Sequence, residues 1–186
     1  MGLAGTPAFW RHPLISTFII ENYFLVRLVL VIAAILFVVI AALLVRAGRR
    51  GKRIATVIAA VGVVAVLGLT LVPDTYPMAG VTCSFDPSEF YRDSFNVMLF
   101  LLPAIFAVIA VRHPLLVFAS GVALSAVIEV IQALSPVLGR RCDIGDWLAN
   151  STGTAIGVLL AVGVIAVVGR ISRRRAASET AGVSHR

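Results

Sequence analysis

The chain has 186 residues, of which 60% are hydrophobic and 13% charged, and it carries a formal net charge of +7. Its mean hydropathy is +1.01. A soluble globular domain of this size cannot hide that much apolar surface, so the composition indicates a polytopic helical membrane protein. The positive charge does not point to nucleic acid, because the arginines stand at the ends of apolar runs and form no basic stripe interleaved with aromatics.

Residues 1–23 are expected outside the cytoplasm, and Leu14–Tyr23 is apolar enough to lie as an interfacial helix or to extend the first span. They do not read as a cleavable signal peptide: the first apolar run starts late, is too long, and is followed by no small-x-small cleavage pattern. Five runs then approach the ~20 residues of a spanning helix. They are Phe24–Val45, Ile54–Val72, Phe95–Val111 (interrupted by Pro103), Leu115–Leu134 and Trp147–Val168. The expected fold is all-α, a transmembrane bundle of about five spans. It divides into two first helices (24–72), an extracytoplasmic loop (73–94), a three-helix core (95–168) and a basic cytoplasmic tail (169–186). From Ser172 to Arg186 the tail is polar without apolar periodicity and reads as disordered.

Charge bias sets the orientation. Arg46, Arg49, Arg50, Lys52 and Arg53 crowd the first connection, Arg112 marks the third, and Arg170, Arg173, Arg174 and Arg175 follow the last span. These alternate connections belong in the cytoplasm, which puts the N-terminus outside and the C-terminus inside, in a multi-pass cell-membrane protein. Cys83 and Cys142 then share the extracytoplasmic side, where a disulfide is permitted but not required.

The outward ends of the last three spans carry nearly all of the embedded polarity. Asp93, Asn96, Phe100 and Pro103 share one helical face, as do Ser125, Glu129 and Gln132, and so do Asp143, Asp146, Asn150, Gly153 and Gly157. At ~1.5 Å per residue, Glu129 lies roughly 7 Å inside its outer end, near the level of Asn150 and Asn96. A carboxylate inside a span is costly and marks a functional site by default. Its nearby cations are Arg92, Arg140 and Arg141, so a Glu–Arg pair that locks the bundle is the plainer alternative. For Asn96 and Ser125 the plainer alternative is an interhelical hydrogen bond. Gly153 with Gly157, and Gly121 with Ser125, are small-xxx-small pairs expected to serve packing. Pro103 is expected to kink its span, and Trp147 to anchor the last one at the interface.

The combined pattern runs from Asn96-x-x-x-Phe100-x-x-Pro103, through Ser125-x-x-x-Glu129-x-x-Gln132 and an Arg140 or Arg141 loop, to Asp143-x-x-Asp146-x-x-x-Asn150-x-x-Gly153-x-x-x-Gly157. It resembles the VanZ-like membrane protein family, named for a protein associated with resistance to the glycopeptide teicoplanin. The resemblance covers Asp93 to about Gly157 and implies a helical membrane fold with these positions as its signature, not a particular reaction. Two details depart from the family's pattern: Pro136 stands further from Arg140, and Ala104 follows Pro103. The role of Arg140 against Arg141 is therefore left open.

The leading expectation is an outer-leaflet site for the headgroup of a cell-envelope lipid or glycolipid, such as a cell-wall lipid intermediate. Asn96, Ser125, Gln132, Arg140, Arg141, Asp143 and Asn150 are its expected substrate-binding residues, with arginine taking a phosphate bidentately. An enzyme reading gives catalytic roles to Glu129 and Asp146, with Glu129 as general acid or base. There Asp143 and Asp146 would offer oxygen ligands to a divalent cation, although no metal site or cofactor is assigned. No histidine lies near the cluster, which weakens that reading. A small transporter and a structural or partner-binding protein are the further alternatives, and a homo-oligomer is allowed by either. Membrane lipids are the expected partners, with no nucleic acid.

Overall fold

The computed structural model describes residues 22–73, 83–84, 94–140 and 142–183. The interfacial segment Leu14–Tyr23 falls almost wholly outside the described residues, as do Asp93, Arg92 and Arg141. Among the described residues, five helices follow in chain order: α1 (Tyr23–Arg46), α2 (Gly48–Leu71), α3 (Ser94–Val111), α4 (Pro114–Leu134) and α5 (Ile144–Val183). Two short strands, β1 (Cys83–Ser84) and β2 (Cys142–Asp143), pair in parallel, and a 3-10 turn at Pro136–Leu138 follows α4. The expected all-α membrane bundle is what the chain forms. α1, α2, α4 and α5 are each long and apolar enough to cross a membrane, whereas the apolar part of α3 is shorter.

Two boundaries differ from the sequence expectation. α2 starts at Gly48, not Ile54, so Arg49, Arg50, Lys52 and Arg53 ride on its first turns. The reversal from α1 takes only Ala47 and Gly48, and Gly48 supplies the left-handed φ of 60° that the turn requires. α5 continues to Val183, through residues expected to be disordered. That stretch lacks apolar periodicity but is rich in alanine and arginine, both strong helix formers, and it extends a helix already nucleated in the bundle.

α3 is the axle of the bundle. It packs most extensively on α5 and then on α2. Phe100, Leu101, Ile105, Phe106 and Ile109 are all buried, and Phe106 meets Phe37 of α1 edge to face at 6.1 Å. A helix apolar all round belongs inside, which explains why the shortest helix sits at the centre. The outer helices expose large apolar side chains such as Leu115 (83%) and Phe24 (77%), as surfaces facing lipid do.

Glycine permits the close α3–α5 approach. A Cβ on Gly153 would overlap the Val97 carbonyl, and one on Gly157 would lie 2.5 Å from the Leu101 oxygen. A Cβ on Gly121 would stand 2.5 Å from Thr154 Cγ2, across the α4–α5 contact. These glycines serve packing, as their spacing predicts. α3 stays helical through Pro103. The proline removes the amide that would bond the Leu99 carbonyl.

Candidate functional site

The C-terminal ends of α2 and α4 meet the N-terminal ends of α3 and α5 at one end of the bundle. Basic residues stand away from this end: Arg49 on the first turn of α2, Arg112 between α3 and α4, and Arg170 towards the C-terminal part of α5. Between the four polar ends lies a cavity of about 240 Å³, walled by Asn96, Glu129, Gln132, Arg140, Asp146 and Asn150. Three helices and one loop thus bring six of the nine expected site residues to one space.

The other three stand elsewhere. Ser125 is fully buried beneath the cavity, where its Oγ accepts a hydrogen bond from Asn150 Nδ2 at 3.0 Å. It supports Asn150 and does not line the space. Asp143 is buried at the start of α5, and its Oδ1 accepts the Gly145 N–H at 2.8 Å, as a helix N-cap does. Arg141 lies outside the described residues.

Glu129 joins this cap from a different helix. Its Oε2 accepts the Asp143 N–H at 2.7 Å. In a capping box the carboxyl three residues into the helix reaches back to the N-cap N–H. Here Glu129 of α4 takes that N–H, and Asp146, at the third position of α5, lines the cavity. Among the described residues Glu129 makes no ion pair; of the arginines weighed as its partner, Arg140 alone is described, and Arg92 and Arg141 lie outside the described residues. The bond it makes is to backbone.

The amides are each half engaged. Gln132 donates from Nε2 to the Thr70 carbonyl of α2 at 2.9 Å, while its Oε1 is buried without a hydrogen-bond partner. Asn150, 2% exposed, holds Ser125 with Nδ2 and leaves Oδ1 without one. Arg140 Nε is likewise buried and unpartnered. Buried polar atoms normally find partners, and these three orphans belong to residues that wall one cavity.

Cys83 and Cys142 form a disulfide, with Cα atoms 4.6 Å apart, and they face each other in the β1–β2 register. The bridge fixes Cys142 and therefore the adjoining Asp143. Beside it a second cavity of about 230 Å³ is lined by Ser84, Ala126, Glu129 and Trp147. Trp147 turns its ring there, with Nε1 buried and unpartnered. Glu129 therefore stands between two spaces.

Sequence reasoning missed Thr70, Leu69 and Phe95, which close the first cavity. Thr70 is buried, and its Oγ1 bonds the Val66 carbonyl at 2.7 Å. Its isolation among apolar residues near the end of α2 was the available signal. Thr154 was missed too: it is buried one turn below Asn150 and donates to the Asn150 carbonyl at 2.9 Å. Among the described residues, no group of three or more His, Cys, Asp or Glu side chains is placed to hold a metal ion.

No curated protein and no solved structure matches the chain. The family model described as VanZ/LLP1 matches residues 24–167, all five helices up to the apolar end of α5 and the whole of the cavity. This protein belongs to the VanZ/LLP1 family.

Proposed function

We propose that the cavity at the polar end of the bundle binds the headgroup of a cell-envelope lipid or glycolipid at the extracytoplasmic leaflet. The observation that carries this reading is the set of unpartnered atoms Gln132 Oε1, Asn150 Oδ1 and Arg140 Nε on one wall system. The two amide oxygens accept from hydroxyls or amines of a sugar or peptide. The arginine takes a phosphate or carboxylate, and Glu129 with Asp146 selects donors over further anions.

Binding accounts for this geometry better than turnover does. Oε2 of Glu129 is engaged by backbone, and the two cysteines are bonded to each other. His113 stands at the opposite end of α4. A cell-wall lipid intermediate held in this way would give the protein a part in lowering susceptibility to glycopeptides such as teicoplanin.

The test is the lipid retained by the full chain purified in detergent from its host membranes, identified by mass spectrometry. The wild type is expected to carry a lipid bearing phosphate or sugar, and Arg140→Ala to lose it. Equal retention by both would overturn the reading.

A further inference from the structure

A third cavity, apolar and of about 240 Å³, lies in the cleft between α2 and α4, with α3 as its floor. The two helices that flank it touch each other only slightly. Its rim is open: Ser120 and Leu116 are exposed there.

The linings of the polar and apolar cavities follow each other along all four helices. On α2, Thr70 lines the polar cavity and Val66, one turn on, lines the apolar one. On α3 the change falls between Leu99 and Phe100. On α4 it falls between Ile128 and Leu124. On α5, Asn150 lines the first and Thr154 the second, and the two are hydrogen-bonded. Val66, Phe100 and Ile128 pack as one buried cluster, so a single layer of side chains forms the wall that the two spaces share.

Four helices turn from polar to apolar at the same level and so stack a polar cavity on an apolar one, with the Val66–Phe100–Ile128 layer between them. The apolar part runs along α3 from Phe100 to Val111. At ~1.5 Å per residue that is roughly 16 Å, close to half of the ~30 Å hydrocarbon core. The polar cavity lies at the bundle end where a headgroup would sit, and the apolar one lies further along the helices.

We infer that the α2–α4 cleft takes a hydrocarbon chain of the same lipid whose headgroup occupies the polar cavity, so that one amphiphile spans both. The inference rests on the headgroup reading above and adds its substrate class: a lipid carrying a long chain, and not a water-soluble sugar, peptide or phosphate. The Val66–Phe100–Ile128 layer closes the direct path between the two cavities, so the lipid passes around it.

The experiment compares wild type, Ser120→Trp and Arg140→Ala, each purified as the full chain from its host membranes. Bound lipid is quantified per protein by mass spectrometry, and melting temperature is used to confirm folding. Ser120 is exposed at the groove rim, so a tryptophan there fills the groove without disturbing the core. Both variants are expected to hold about tenfold less lipid, since the block excludes the chain sterically while lipid hydrocarbon offers it an equally apolar alternative. Loss in Arg140→Ala with full retention in Ser120→Trp would overturn the chain site and leave the headgroup reading standing. Loss in Ser120→Trp alone would show a chain bound independently of the polar cavity and would overturn the single-molecule inference. Retention by both would overturn both readings. Should Ser120→Trp melt early, Leu116→Trp at the same rim replaces it under the same criteria.

Discussion

Glu129 Oε2 on α4 accepts the backbone N–H of Asp143, the residue that caps α5, at 2.7 Å. This bond gives the intramembrane carboxylate a structural duty beside its place in the cavity wall, and the two duties separate by substitution. Glutamine retains an oxygen for the Asp143 N–H and removes the charge. Glu129→Gln is therefore expected to melt within a few degrees of wild type. Glu129→Ala leaves a part-buried N–H without an acceptor and is expected to cost about 1–3 kcal/mol. Unfolding of the purified variants in detergent measures both.

The Cys83–Cys142 bridge closes a sequence separation of 59 residues and holds Asp143 where Glu129 can reach it. Replacing both cysteines by serine is expected to cost about 2–4 kcal/mol. The lower end applies because α3 and α4, within the closed loop, are already confined by the membrane. A lowered melting temperature in the double variant, and the same drop for wild type under reductant, are the expected results.

The glycines of α5 differ sharply in surroundings. Gly153 lies against the Val97 carbonyl, whereas Gly163 and Gly169 have nothing within 4 Å of an added Cβ. Gly153→Ala is expected to destabilise by at least about 1–3 kcal/mol, because the axle helix must move. Gly163→Ala and Gly169→Ala are expected to fall within about 0.5 kcal/mol of wild type, as substitutions away from packed features do. Parallel unfolding curves for the three variants check the contrast.

Ser125 tests whether buried polarity below the cavity is support or contact. Ser125→Ala removes the partner of Asn150 Nδ2 and is expected to cost about 0.6–1.7 kcal/mol, the range of interhelical hydrogen bonds in membranes. Lipid retention should fall far less than in Arg140→Ala, because Ser125 does not line the cavity.

The spans were legible because lipid demands long apolar helices, and a single carboxylate in one of them stands out against that background. The i, i+3, i+4 stripes found Asn96, Glu129, Gln132, Asp146 and Asn150 for the same reason. Thr70 stands out as an isolated polar residue, but its bond to Gln132 was not legible, because what it offers is a backbone carbonyl, which leaves no mark on residue type. That Asp143 caps α5 was not legible, because an N-cap and a binding carboxylate use the same side chain. The early start of α2 and the long end of α5 were hidden because hydropathy marks where a helix meets lipid, not where its hydrogen bonds stop.

The central claim is that the cavity around Glu129, Gln132, Arg140 and Asn150 holds the polar part of an envelope lipid. The most direct measurement is the set of lipids that co-purify with wild type compared with Glu129→Gln, which keeps the Asp143 bond and alters only the charge facing the cavity. One lipid class bearing phosphate or sugar, abundant with wild type and depleted with Glu129→Gln at unchanged melting temperature, is the result expected. Identical lipid profiles from two equally folded proteins would contradict the claim.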